Sequence, residues 1–251
     1  MKNLFVVTAI LLATAALSAN ATKNIDRTVA LSPSGSVVLQ TQNGSIDVQT
    51  WDRPQLEIHA QIEAAGTWPS DVRRFEDTTV DIEATGDAVR ITSRVPTIES
   101  WSSWFGNSPK VYYRITAPNT VRWTIYDHNA SVDIRDVKAA VTVETHNGPV
   151  RAIGLDGPFK ADTHNGSITA SFAGFHGADV TSHDAPAEMA LPTNTAFTLR
   201  AASRGGIQSD FPIAIQVAGR RARELAGTIG NGGPTLHFDS HGGRLRLLRK
   251  E

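Results

Sequence analysis

The chain has 251 residues, with 24 basic and 25 acidic side chains, 40% hydrophobic residues and no cysteine. That composition belongs to a folded protein of one large domain or two small ones, and it excludes wholesale disorder. A formal charge of −1 excludes a strongly basic nucleic-acid binder, and the missing thiols exclude disulfides, cysteine nucleophiles, thiolate metal sites and lipid attachment through cysteine.

The first 21 residues read as an export signal. One lysine, Lys2, precedes an apolar run from Leu4 to Leu17, and Ala19-Asn20-Ala21 supplies the small residues a signal peptidase requires. The run is short for a bilayer span, and no later stretch is apolar enough to act as a transmembrane anchor. The expectation is cleavage near Ala21 and a periplasmic or secreted mature protein, which must then be stabilised by packing and hydrogen bonds alone.

The next segments alternate apolar and polar residues with period two, as half-buried strands do. Ser36–Gln40, Ser45–Gln49, Gln55–His59 and Val80–Glu83 all show it. One helix is expected, over Ser70–Asp77, with Ser70 as its cap. Between Pro96 and Pro109 the strand period lapses, and Trp101, Trp104 and Phe105 gather in a Ser- and Gly-containing loop. Aromatic clusters on loops mark recognition surfaces for sugars or protein partners, or else cover an open end of a sheet. Trp101, Trp104 and Phe105 are therefore the candidate binding residues, for a glycan or an envelope protein.

From residue 120 onward the chain repeats itself. Asp127-His128-Asn129-Ala130, Thr145-His146-Asn147-Gly148 and Thr163-His164-Asn165-Gly166 recur at an interval of 18 residues, and Ser182-His183-Asp184-Ala185 follows 19 later. Looser copies lie at Ser203-Arg204-Gly205-Gly206 and Ser240-His241-Gly242-Gly243, and an early one at Thr41-Gln42-Asn43-Gly44. A unit this short cannot bury its own apolar face, so successive units stack and share one core. At about 3.3 Å per strand residue, 18 residues make one circuit of short strands and corners, and stacked circuits pair in parallel about 4.8 Å apart. Asn-Gly suits such corners because both residues tolerate the left-handed backbone conformation. Val132, Ile134, Val150, Ala152, Ile168 and Ala170 are the expected inward-facing residues. The fold expected is all-β, a right-handed parallel β-solenoid with rungs of roughly 18 residues. A β-sandwich with Asn-Gly hairpins is the alternative.

The Thr-x-Asn-Gly-Ser-Ile-x-Val pattern at 41–48, the Thr-His-Asn-Gly corners at 145–148 and 163–166, and the glycine-cornered ending at 227–247 resemble the bacterial putative-adhesin domain of unknown function. The resemblance spans roughly residues 30–250 and implies a β-solenoid at the cell surface or in the periplasm. It brings no catalytic residues. Asn129-Ala130, Asp184-Ala185 and the region of Arg204 depart from the usual Asn/Asp-Gly corner.

Three constellations bear on function. His128, His146, His164 and His183 hold one corner position and should form a row, which as an alternative makes them a metal site, although a straight row fits the tetrahedral preference of zinc poorly. Glu144 and Asp162 each stand two residues before a row histidine, and paired carboxylates about 5 Å apart are the arrangement of retaining glycosidases. The aromatic loop is the third. Arg220, Arg221, Arg223, Arg244, Arg246, Arg249 and Lys250 make the C-terminal stretch basic, and Arg220–Leu225, fenced by Gly219 and Gly227, reads as a loop or strand edge.

The chain thus divides into a signal segment 1–21, an N-terminal strand-rich part 22–120 bearing the 96–109 loop, and a repeat-bearing part 121–251. It reads as an exported, non-catalytic envelope protein without a cofactor, adhesin-like in binding or structure. A polysaccharide-active enzyme and a metal-binding envelope protein are the alternatives.

Overall fold

The computed structural model describes residues 21–96, 108–218 and 223–250. Residues 1–20 of the expected signal, the aromatic trio Trp101, Trp104 and Phe105, and Arg220 and Arg221 lie outside the described residues.

Strands dominate. β1 (Thr22–Ala30), β2 (Ser36–Gln40), β3 (Gly44–Trp51) and β4 (Gln55–Glu63) precede the helix α1 (Pro69–Asp77), and β5 (Thr79–Thr85), β6 (Ala88–Arg94) and β7 (Lys110–Pro118) follow it. The repeats then form β8 (Arg122–Tyr126), β9 (Ser131–Arg135), β10 (Val141–Thr145), β11 (Val150–Leu155), β12 (Phe159–Thr163), β13 (Ile168–Phe172), β14 (Ala178–Ser182) and β15 (Ala187–Pro192). The last elements are β16 (Phe197–Ser203), β17 (Ile207–Ser209), β18 (Ala214–Ala218), β19 (Arg223–Ile229), β20 (Thr235–Ser240) and β21 (Leu245–Lys250).

These strands make two large mixed sheets. One runs β1-β4-β7-β3-β9-β11-β13-β15-β21-β17, the other β18-β19-β16-β20-β14-β12-β10-β8-β2-β6-β5. Their apolar faces meet in one core, where for example Phe159 of β12 and Phe172 of β13 touch edge to face with ring centroids 6.2 Å apart. All six expected inward residues, from Val132 to Ala170, are buried in it.

The two strand orders run in step. Taken together they define levels, each with one strand in either sheet: β6/β7, β2/β3, β8/β9, β10/β11, β12/β13, β14/β15, β20/β21 and β16/β17. Neighbouring levels pair in parallel, and through the middle the partners lie one repeat apart, Val141 opposite Trp123 and Phe159, Val150 opposite Val132 and Ile168.

Chain order and level order part company at both ends. β2/β3 lies between β6/β7 and β8/β9. β20/β21 lies between β14/β15 and β16/β17, although β16/β17 comes earlier in the chain. The expectation that successive copies stack in sequence is corrected there. Every level offers the same parallel edge, and burying Leu236, Phe238, Leu245 and Leu247 completely inside the stack outweighs the entropy of a longer connection, which grows only with the logarithm of its length.

Antiparallel strands finish the ends. β4 pairs with β7 and β1 with β4, β5 pairs with β6, and at the far end β19 pairs with β16 and β18 with β19. From Arg223 onward the segment expected as a loop or strand edge belongs to β19, with Gly227 inside that strand opposite Leu199 and Ile215. Helix α1 buries Phe75 against the core at the first end. It starts at Pro69 rather than being capped by Ser70, because the fixed φ of proline suits the first helical position. Lys23 closes its other end, donating from Nζ to the carbonyls of Phe75 (2.6 Å) and Glu76 (2.5 Å).

Candidate binding face

At five levels, β10/β11, β12/β13, β14/β15, β20/β21 and β16/β17, one corner is built the same way. A buried hydroxyl accepts the backbone N–H three residues on: Gly148 N–H to Thr145 Oγ1 (3.2 Å), Gly166 to Thr163 (2.9 Å), Ala185 to Ser182 (3.0 Å), Gly243 to Ser240 (2.7 Å) and Gly206 to Ser203 (3.2 Å). That bond folds the corner and leaves its two central residues pointing into solvent. Those residues are His146 and Asn147, His164 and Asn165, His183 and Asp184, His241 and Gly242, and Arg204 and Gly205.

The glycine has a different reason from the one expected. Gly148 and Gly166 do not adopt positive φ, whereas Gly44 does, at 128°. A Cβ on Gly148 would lie 1.6 Å from the carbonyl oxygen of Ala130, and one on Gly166 1.9 Å from that of Gly148. Level-to-level approach of the backbones, not a left-handed turn, demands glycine at these corners. The close approach carries a ladder of its own: Asn147 N–H reaches His128 O and Asn165 N–H reaches His146 O, each at 2.8 Å.

The outward residues consequently line up. The imidazoles of His128, His146, His164, His183 and His241 stack in one column, with successive centroids 4.8, 4.8, 4.4 and 5.1 Å apart and planes within 19° of parallel. Arg204 ends the column, its Nη1 donating to Nε2 of His241 at 2.9 Å. Beside it runs an amide ladder, in which Nδ2 of Asn165, Asn147 and Asn129 donates to Oδ1 of Asn147, Asn129 and Asn43 at 2.8, 2.7 and 2.7 Å. Asp184 takes the next place and turns Oδ2 to His183 Nδ1, 2.9 Å away.

Two residues before the column runs an acidic row. Glu144 stands directly opposite Asp162 on paired parallel strands, and Thr181 and Asp239 continue the line. Between row and column lies an open depression of about 470 Å³, lined by His146, His164, His183, His241, Asp162 and Asp239.

Asp127 is the exception in the buried hydroxyl position. Its Oδ1 accepts from Thr145 Oγ1 (3.0 Å) and from Ala130 N–H (2.8 Å), while Oδ2 is buried without a hydrogen-bond partner. Burial pushes its carboxyl up to about 6, against the opposing pull of those two hydrogen bonds and of His128.

The four expected histidines and both expected carboxylates therefore share one face. Reading the sequence did not place His241 next to His183, although Ser240-His241-Gly242-Gly243 spells the corner motif, and it missed the amide ladder and Asp127. Stacked rings set their nitrogens along a line rather than around a point, and among the described residues no group of three or more His, Asp or Glu has the arrangement to hold a metal ion. Of the C-terminal arginines, Arg246 pairs with Glu188 at 3.2 Å and Arg249 covers the Phe211 ring. Among the described residues no helix is long and apolar enough to cross a membrane.

No family model matches the chain, and no curated protein matches it. Among solved structures it is similar to a putative cell adhesion protein from Clostridium sporogenes, with TM-score 0.44 and 10% identity over 91% of this chain and 100% of that one. It is also similar to a putative adhesin from Bacteroides fragilis, with TM-score 0.40 and 10% identity over 90% of this chain and 97% of that one. A putative lipid binding protein from Parabacteroides distasonis gives TM-score 0.33 and 12% identity over 90% of this chain and 97% of that one.

Proposed function

We propose that this chain is an exported, non-catalytic envelope protein with an adhesin-like binding role, and that its ligand lies along the corner of stacked imidazoles. The observation that carries the reading is the column itself. Five exposed imidazoles in register, beside an open polar depression, repeat one recognition group per level on a rigid support. An extended ligand with its own repeat meets many equivalent contacts there.

The scaffold that suits this role is a right-handed parallel β-solenoid, cleaved near Ala21, with a more irregular part at 22–120 and the repeats at 121–251. The parallel one-repeat register in both sheets supports it. Trp101, Trp104 and Phe105 extend the binding face in this reading. In the chain they fall between β6 and β7.

A glycan array read at neutral pH tests the role. Binding should be lost in His146→Ala with His164→Ala and weakened in Trp101→Ala with Trp104→Ala, both variants melting near the parent temperature. Binding unchanged in both, or absent from the parent chain, would sink it. The facing register of Glu144 and Asp162 supports a second reading, a retaining glycoside hydrolase. Turnover abolished by Glu144→Gln on a soluble glycan would establish that reading in place of the first.

A further inference from the structure

We propose that in mildly acidic water this corner becomes a receptor for a linear acidic polysaccharide carrying carboxylate or sulfate groups, and that at neutral pH it repels the same ligand. The proposal rests on the corner being the binding face, and it adds acidic polysaccharides to that face as a ligand class held in acid alone, beside the uncharged glycans that the neutral-pH array reads.

The charges around the column set the neutral state. Glu144, Asp162 and Asp239 stand in the neighbouring row, Asp184 contacts His183, and the half-buried Asp127 precedes His128. Glu224 is next to the far end, on the strand opposite Ala202. Against them, among the described residues, stand Arg204 at the end of the column and the exposed Arg244, three residues after His241. With uncharged rings the face is acidic and repels a polyanion.

Imidazole is the side chain that takes up a proton just below neutrality. All five rings are exposed and follow one another at a single level spacing. Protonation would therefore draw a line of positive charge along the corner, outnumbering the carboxylates of the adjacent row. The stack resists complete charging, because neighbouring cations a few ångströms apart repel each other. Arg204 donates to Nε2 of His241 at one end of the line, and Asp184 stands against Nδ1 of His183 as a counter-charge within it. A polyanion lying along the ring edges relieves that repulsion, so ligand and proton each promote uptake of the other. The line is one side chain wide, which fits a single chain better than a lipid surface.

The other three histidines supply an internal control. His59 lies between Asp26 and Glu57, His176 contacts Asp156, and His237 stands on β20 away from the column. Removing them changes the acid charge of the protein as much as removing three column histidines. That matters because the sequence pI is about 6.7, so the whole chain turns positive in acid.

The test is retention of the full mature chain on heparin-agarose at about pH 5.5 and pH 7.5 at one ionic strength. The parent should bind in acid and wash through at neutral pH. His146→Gln/His164→Gln/His183→Gln should lose acid retention at least tenfold, while His59→Gln/His176→Gln/His237→Gln keeps it. Equal behaviour of the two triple variants overturns the proposal, as does retention at neutral pH or capture by phosphatidylserine vesicles in preference to heparin. Should the column triple melt below the assay temperature, the single variant His164→Gln is read against His237→Gln in the same way. Neutral-pH array binding is scored separately, so its loss and the loss of acid retention are distinguishable.

Discussion

Arg204 Nη1 and His241 Nε2 lie 2.9 Å apart, joining the corner after β16 to the corner after β20. The guanidinium can only donate, so the imidazole must accept with an unprotonated Nε2 and carry its proton on Nδ1. A double-mutant cycle of Arg204→Ala and His241→Ala, followed by chemical denaturation, should give a coupling of about 0.5 kcal/mol at pH 8, the size usual for an exposed polar pair. A doubly protonated ring offers the guanidinium no acceptor, so a coupling that vanishes or reverses in acid identifies a bond to a neutral ring. A coupling that grows on acidification would mean that the contact is not an acceptor bond to a neutral ring.

His241 stacks on His183 because β20/β21 is seated between β14/β15 and β16/β17, and cysteine chemistry can report that order directly. Thr181 and Asp239 are register partners on neighbouring parallel strands, close enough for a disulfide. Ala202 belongs to the strand on the far side of β20. In a chain that contains no cysteine of its own, Thr181→Cys with Asp239→Cys should oxidise completely within one molecule and raise the melting temperature. Thr181→Cys with Ala202→Cys should keep both thiols free. Thiol titration after mild oxidation separates the two, and the reverse result would restore stacking in chain order.

Why the order was illegible in the sequence is physical. Period-two alternation marked β2, β3, β4 and β5, and the apolar pairs after each corner, Val132 with Ile134 and Val150 with Ala152, face inward as their spacing requires. The corner motif located the imidazole column for the same reason, since a hydroxyl bonded three residues on must expose the two residues between. But a parallel edge carries no label. Ala178 accommodates Leu236 in register as readily as Phe159 accommodates Ala178, and nothing local distinguishes a neighbour one repeat away from one six strands later. Asp127 escaped notice because its environment, not its type, makes it unusual.

The tight corners should be intolerant of a single methyl group. Gly166→Ala places a Cβ 1.9 Å from a backbone oxygen, which no rotamer change relieves, so the levels must separate locally. A loss of about 3 kcal/mol is expected from the urea midpoint at constant m-value. Gly86→Ala is the comparison. It meets nothing within 4 Å and is strained only by its φ of +59°, so about 1 kcal/mol should be lost. Equal losses would show that backbone conformation, not approach, governs the corner.

Asp127 should make stability depend on pH in a direction opposite to that of an ion-paired carboxylate. Its pKa is raised from 3.8 to about 6 in the folded chain, chiefly by burial, so the fold penalises the charged form. The penalty is fully present above about pH 6, shrinks as pH falls through that value, and is gone once the unfolded carboxyl also protonates below 3.8. Thr145 and Thr163 fill the same position with a hydroxyl that accepts the same corner N–H. Asp127→Thr should therefore raise the melting temperature at pH 8, with an advantage that declines through pH 6 and disappears near pH 4. Asp127→Asn should show the same trend, since it too removes the buried charge. A variant less stable than the parent at pH 8 would mean that the unpartnered Oδ2 is stabilised as an anion, contrary to the burial that surrounds it.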